Sequence, residues 1–318
     1  NQIAFMETLK EAEFFEGTGA RDLAFAARDR INRGPKALGF VDLDPVVRIT
    51  EAGQLLISSR RKEEVFLRQL LKFQLPSPYH TTSNKEKNIF DVKPYLEIFR
   101  LVFEFGSLSF EEIMFGLQLT DYRKFESVRS KIEQFRMEKA KSKQNYKNFR
   151  GKYLENIVLE LFEQDIKAGR TQLRESKDVS MRNFVRTKGR TMRDYTDACI
   201  RYLRLSGMIA ISQRGRSISI VEEKREEMAY ILDVVDRKPI HISDMDAYKG
   251  YLFDPLNPTL HTDNKDVVIR QITAIDDKFQ EDKLYDQDLV ALRELSFELL
   301  EQRKQAIIDE KVRDIKRY

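Results

Sequence analysis

Gly207-Met208-Ile209-Ala210-Ile211-Ser212-Gln213-Arg214-Gly215-Arg216-Ser217-Ile218-Ser219-Ile220-Val221 reads as a helix stop followed by two short strands around a tight turn. Strand side chains alternate between faces, so Ile209, Ile211, Ile218 and Ile220 fall together and predict a buried face. Upstream, Arg190 to Ser206 has helical spacing. Downstream, an acidic run from Glu222 opens the next helix. The same order occurs earlier: Gly39-Phe40-Val41-Asp42-Leu43, a turn at Asp44-Pro45, Val46-Val47-Arg48-Ile49, then Thr50 placed to cap a helix. Helix, glycine, hairpin, helix is the skeleton of a winged helix, and two copies point toward double-stranded DNA.

Composition agrees with a mostly α chain carrying small β wings. Of 318 residues, 41% are hydrophobic and 34% charged, Trp is absent, and Gly and Pro are sparse. A single Cys199 excludes an internal disulfide framework and a cysteine zinc cluster, and His80, His241 and His261 show no ligand spacing. No apolar run approaches a membrane span and no leader pattern opens the sequence, so a cytoplasmic protein with no membrane partner is expected. Charge is uneven. Glu222 to Tyr318 holds 23 acidic and 16 basic residues, whereas the preceding part holds 40 basic and 29 acidic. That basic side is suited to a polyanion, since lysines and arginines that neutralise phosphates release condensed counterions.

Three segments are expected: a first winged-helix subdomain over 1–88, a second over 89–235, and a helical linker over 236–318. The first boundary follows Leu75-Pro76-Ser77-Pro78, where proline ends a helix. In the second segment Pro94 starts a helix, Gly106-Ser107-Leu108-Ser109 breaks it as a turn, and Ser109 with Glu112 forms a capping box. Arg123 to Lys152 holds eleven basic against three acidic residues, read either as a phosphate-tracking arm or as a solvated connector. Helical periodicity over Tyr153 to Lys167, through Leu154, Ile157, Val158, Leu161 and Phe162, predicts packing. The last segment carries one amphipathic helix through Val267, Val268, Ile272 and Ile275 and a longer one over Leu284 to Tyr318.

In a winged helix the helix before the hairpin enters the major groove with its first residues at the base edges, which nominates Arg190, Thr191, Arg193 and Asp194. Guanidinium groups can bond guanine O6 and N7 together. Arg193, Asp197 and Arg201 could alternatively pair along the helix. Arg204 is expected at phosphates or in packing, Arg182, Arg186 and Lys188 belong to a loop-like basic stretch, and Arg214 and Arg216 sit in the wing. Lys36 joins these candidates ahead of the first hairpin. Tyr195, Cys199 and Tyr202 read as the inward stripe. Carboxylate-lysine triplets at Asp165-Ile166-Lys167, Asp276-Asp277-Lys278 and Glu281-Asp282-Lys283 fall in helical segments and are discounted as nuclease motifs, so no catalytic or metal residue is assigned.

Several blocks carry a family resemblance: Arg28-Asp29-Arg30, Gly39-Phe40-Val41, Arg48-Ile49-Thr50-Glu51-Ala52-Gly53, Phe66-Leu67 with Gln69-Leu70, Pro76-Ser77, Gln134-Phe135-Arg136, and Arg193-Asp194 through Asp197-Ala198 to Arg201-Tyr202 and Gly207. They resemble the AlwI-like type IIS restriction endonucleases, and most of all the nicking enzymes of that family that read GAGTC. The resemblance implies two winged-helix recognition subdomains, a helical linker, and a magnesium-dependent PD-(D/E)XK nuclease domain. That motif is missing here, so the chain is expected to recognise DNA and to need no cofactor itself, with Mg2+ belonging to the nuclease domain. Arg28, Asp29 and Arg30 become implied site contacts of the first unit, and Arg193 and Asp194 of the second. The implied partner is duplex DNA with a short asymmetric site, read by a monomer, with a second nuclease subunit where both strands are cut. A winged-helix regulator or plasmid replication initiator is the rival reading, and a helical scaffold the third.

Overall fold

The computed structural model describes residues 2–12, 32–79, 90–173, 178, 180–212, 217–241, 244–280, 288, 290–292, 295–296 and 299. Arg28, Asp29 and Arg30, the wing-tip residues Arg214 and Arg216, and most of the last predicted helix lie outside them. The described chain is mostly helical with two small antiparallel sheets. Its helices are α1 (Gln2–Glu11), α2 (Glu51–Ser58), α3 (Lys62–Lys72), α4 (Pro94–Phe105), α5 (Phe110–Gly116), α6 (Phe125–Lys141), α7 (Tyr146–Leu161), α8 (Glu163–Lys167), α9 (Met181–Arg204), α10 (Arg225–Val234), α11 (Met245–Phe253) and α12 (Lys265–Gln280). The strands are β1 (Val41–Asp42), β2 (Arg48–Ile49), β3 (Ser107–Ser109), β4 (Ile209–Ile211) and β5 (Ser217–Ile220).

Contacts group the chain into two units, drawn differently from the segments expected above. One comprises residues 1–72, 223–235 and 243–318, and the other 73–222 and 236–242. The assignments have visible causes. Gln74 exchanges two hydrogen bonds with Ile240, through Nε2 to its carbonyl at 3.0 Å and Oε1 from its amide at 2.9 Å. Arg237 grips the fully buried Glu97 with Nε at 3.0 Å and Nη2 at 2.7 Å. Residues 236–242 are thereby held in the second unit. In the first unit, α10 buries Met228 and Ile231, and Tyr230 stacks on His261 at 4.9 Å.

In the first unit β1 and β2 pair antiparallel, Val41 opposite Ile49 and Asp42 opposite Arg48. The hairpin is shorter than its sequence suggests. Val46 and Val47, expected in the second strand, are 69% and 73% exposed and precede it, because no partner strand covers them. The Arg48-Ile49-Thr50-Glu51-Ala52-Gly53 block has a packing explanation. Thr50 Oγ1 accepts from the Gly53 amide at 3.1 Å and donates to the Gly39 carbonyl at 2.5 Å, capping α2 and tying it to the hairpin entrance. Ala52 is fully buried, and a Cβ on Gly53 would lie 2.1 Å from the Phe40 carbonyl oxygen. Only glycine permits that approach. Asp42 anchors the turn: burial pushes its carboxyl up, but Lys249 at 3.0 Å, the Asp44 amide and Arg48 more than offset this and hold it below the usual range.

One face of α3 is polar yet buried. Arg68 bonds the Leu256 carbonyl at 3.1 Å, that of Pro258, and Asp263; Gln69 bonds the Leu38 and Leu252 carbonyls at 2.6 and 2.9 Å; and Lys72 Nζ bonds those of Leu252 and Asp254 at 2.9 and 2.5 Å. These contacts fasten the irregular chain after α11 to α3. Burial pushes the Lys72 ammonium down to about 7. The folded chain therefore holds fewer protons than the unfolded chain between about pH 7 and the ordinary lysine range, so raising the pH through that window stabilises the fold. Urea unfolding at about pH 7 and about pH 9.5 checks this: wild type gains on Lys72→Met at the higher pH, and a constant difference would refute the burial argument. At the end of this unit Val268 and Leu295 pack with Ile272, Ala291, Leu292 and Leu299, so the two C-terminal amphipathic segments cover each other.

The second unit is built around a three-stranded sheet in the order β3-β5-β4. Ile209 lies opposite Ile220 and Ile211 opposite Ile218, and of these Ile209, Ile218 and Ile220 are buried, as the alternation predicts. Residues 107–109 are a strand rather than the expected turn. Leu108 is fully buried and pairs with Ile218. Three residues carry too little periodicity to be recognised, and their partner lies more than a hundred residues downstream. Glu112 accepts from the Ser109 amide at 2.6 Å and so forms its half of the capping box. Phe115, Phe135, Phe149 and Tyr153 cluster with ring centroids 4.9 to 5.9 Å apart and hold α6 and α7 on α5. Ile157 and Val158 are buried, but Leu161, expected to pack, is 44% exposed at the helix end.

Candidate nucleic-acid interface

The helix ahead of the β4–β5 hairpin is longer than Arg190 to Ser206. α9 begins at Met181, capped by Ser180 Oγ accepting from the Asn183 amide at 3.2 Å, and runs 24 residues to Arg204. Arg182, Arg186 and Lys188 are therefore helical, not a loop, and Arg190 and Arg193 stand in the third and fourth turns rather than the leading one. Gly189 concealed the continuity. It is buried where α9 crosses α7, and a Cβ there would sit 3.4 Å from Leu154 and 3.8 Å from Val158.

Burial sorts the helix into two faces. Phe184, Gly189, Thr196, Cys199, Ile200 and Leu203 point inward, whereas Arg182, Arg186, Arg190, Arg193, Arg201 and Arg204 are exposed. Steps of three, four and eight residues keep those arginines on one side of the helix. Tyr195 was expected inside but is 67% exposed, since the inward stripe runs through Thr196 one position on. Burial pushes the Cys199 thiol up to about 12, which suits a packing residue and not a nucleophile.

The nominated side chains differ in their surroundings. Arg190 and Asp194 are exposed. Arg193 Nε reaches the Gly189 carbonyl at 3.3 Å, Thr191 Oγ1 donates to the Thr187 carbonyl at 3.1 Å, and Arg186 bonds Asn183 Oδ1 at 2.9 Å. Arg201 pairs with Asp197 at 3.2 Å, the along-helix alternative considered above. Lys188 turns elsewhere, its ammonium 4.6 Å from the Phe162 ring centroid and 5.5 Å from that of Phe184. Lys36 sits half-buried at the end of the Asn32–Lys36 turn of π-helix in the other unit.

A groove of about 820 Å³ runs along the edge of α9, bordered by Arg182, Arg186 and Arg193 on that helix and by Lys147 and Arg150 on α7. Met114, Leu154 and Val185 are among its apolar lining residues. Lys147 and Arg150 belong to the Arg123 to Lys152 basic run, read from sequence as a phosphate-tracking arm or a solvated connector, but were not singled out by position. The available signal was the absence of any acidic residue from Lys139 to Leu154, a stretch with six basic ones. Among the described residues no group of three or more His, Cys, Asp or Glu is placed to hold a metal ion, and no helix is long and apolar enough to cross a membrane. Asp165 and Lys167 lie in α8 and pair with Arg170 at 2.8 Å and Glu163 at 2.6 Å.

Fold and surface together define a helical protein in which an arginine-faced helix leads directly into a β-hairpin. The chain belongs to the AlwI restriction endonuclease family, whose model matches residues 36–314. No curated protein matches it. Among solved structures it is similar to the BpuJ1 endonuclease binding domain, crystallised in complex with pyrene- and phenanthrene-modified DNA. The two share 15% identity and a TM-score of 0.47 over 80% of this chain and 84% of the other.

Proposed function

We propose that residues 1–318 form the duplex-DNA recognition region of a type IIS restriction or nicking endonuclease. The observation that carries this reading is the exposed face of six arginines on α9, the helix that leads into β4 and β5, in a chain of the AlwI family. A cationic helix of this kind can lie in the major groove while the hairpin reaches the neighbouring backbone, the division of labour of a winged helix. The order α4, β3, α5, α9, β4, β5 with sheet order β3-β5-β4 supports that comparison, α6 to α8 being an insertion before the reading helix. Arg190 and Arg193 read base edges; Arg182, Arg186 and Arg204 meet phosphates. The β1–β2 hairpin of the other unit, with Lys36 and the Arg28-Asp29-Arg30 block, supplies the second set of contacts. Two unlike units suit an asymmetric site read by a monomer, and GAGTC is the site the sequence resemblance points to. Cleavage belongs to a magnesium-dependent nuclease domain outside these residues.

Selection from random duplexes by the full-length protein tests the proposal. Enrichment of one short asymmetric sequence supports it. Enrichment of a different asymmetric site removes GAGTC alone, and recovery of a palindrome or of no sequence removes the recognition reading.

A further inference from the structure

The basic run from Arg123 to Lys152 is divided by its carboxylate partners. Arg123 pairs with Asp121 at 2.7 Å, Arg129 with Glu126 at 2.8 Å, Lys131 with Glu160 at 3.1 Å, Arg136 with Glu112 at 2.6 Å and Arg150 with Glu111 at 3.5 Å. Lys131–Glu160 joins α6 to α7, Arg136 and Arg150 tie those helices to Glu112 and Glu111 of α5, and the other two pairs are local. Lys141, Lys143 and Lys147, at the corner where α6 turns into α7, are exposed and have no ion-pair partner among the described residues. The nearest acidic residues in sequence are Glu138, three positions before Lys141, and Glu155, eight beyond Lys147.

The corner is also held in place. Tyr146 donates to Glu111 of α5 at 2.7 Å and carries the Lys139 ammonium 4.7 Å from its ring centroid. Asn145 Oδ1 accepts from the Lys147 amide at 2.8 Å, and Ser142 Oγ from the Gln144 amide at 3.2 Å. Lys147 borders the same groove as Arg182, Arg186 and Arg193, where the cations outnumber the lining carboxylates Glu111 and Glu155, so the mainly cationic surface of the corner continues onto α9. Like charges are gathered on a braced turn and no ion pair neutralises these three lysines among the described residues, an unfavourable arrangement in the free protein that a polyanion relieves.

We propose that this corner is a phosphate-binding clamp: Lys141, Lys143 and Lys147 hold one strand of the duplex backbone beyond the bases read by α9 and lengthen the footprint on that side. The inference rests on the DNA-recognition reading. It assigns these lysines to sequence-independent affinity, since phosphate contacts fix position and carry no base information.

The test is the salt dependence of binding by the full chain carrying Lys141→Gln, Lys143→Gln and Lys147→Gln, measured on the selected duplex and on an unrelated one. Each lost phosphate contact lowers the slope of log affinity against log salt by about 0.9, so a loss of roughly 3 is expected, with affinity near physiological salt down on the order of a hundredfold. Both duplexes lose by the same factor. A triple Lys→Arg variant retains the wild-type slope, and Lys131→Gln, which removes an ion-paired cation, leaves it unchanged. Should the triple variant unfold, Lys143→Gln alone lowers the slope by about 0.9. A slope and affinity equal to wild type overturns the clamp while leaving recognition standing. A wild-type protein without steep salt dependence overturns the recognition reading itself.

Discussion

Replacing Arg190 and Arg193 together with alanine is expected to lower affinity for the selected duplex by about 2 to 6 kcal/mol, roughly thirtyfold to more than ten-thousandfold. The estimate takes about 1 to 3 kcal/mol for each guanidinium that bonds a guanine edge through two hydrogen bonds. Both side chains are exposed, and the one internal bond to be lost among the described residues is the 3.3 Å contact from Arg193 to the Gly189 carbonyl. The fold should therefore be unaffected within about 0.5 kcal/mol, as for surface substitutions generally. Binding to an unrelated duplex separates base reading from backbone contact: it falls far less than binding to the selected one. Equal losses on both would move these arginines to the phosphates, and no loss on either would remove α9 from the interface.

The second large effect concerns stability. Arg237→Ala leaves Glu97, which is fully buried, without its bidentate partner, and also removes the 3.0 Å bond to the Tyr122 carbonyl and the guanidinium 5.0 Å from the Phe125 ring centroid. Leaving a buried charge unpaired costs about 3 to 5 kcal/mol, which for a unit of this size lowers the midpoint by on the order of 10 °C. Replacing both members, Glu97→Leu with Arg237→Met, should recover most of the loss, because the desolvation of two charges disappears with them. Thermal melts of the two variants and wild type decide the matter. A single variant that melts within about a degree of wild type would show that water, not Arg237, compensates the carboxylate.

Much of the local fold around the candidate interface could be read from the sequence. Alternation alone brought the four isoleucines of the second hairpin to one face, and Thr50 was identifiable as a cap from its place before Glu51-Ala52-Gly53. The inward stripe of α9 was misread at Tyr195 by a single position. Because one residue turns a helix by about 100°, that error exchanges an exposed side chain for a buried one. The start of α9 was missed because a glycine in a polar, basic stretch resembles a loop, whereas here it admits Leu154 and Val158 of a neighbouring helix. The acid-poor stretch was visible as charge. Which of its cations remained free for a ligand was not, since Glu111, Glu112 and Glu160 lie outside the run and meet it through folding.

The order of residues alone determined the local units: the helices, the hairpins with their buried faces, the caps, and an arginine-rich segment ahead of the second hairpin. These follow from interactions among neighbours a few positions apart, which periodicity, proline and capping chemistry report directly. Tertiary structure decided what required distant partners. It made Ser107–Ser109 a strand by pairing it with β5, returned residues 236–242 to the second unit through Gln74 and Glu97, and sorted the cations into those that brace the protein and those left facing solvent. Burial, ion pairing and strand pairing between remote segments depend on three-dimensional proximity, and no local pattern encodes which remote segment will arrive.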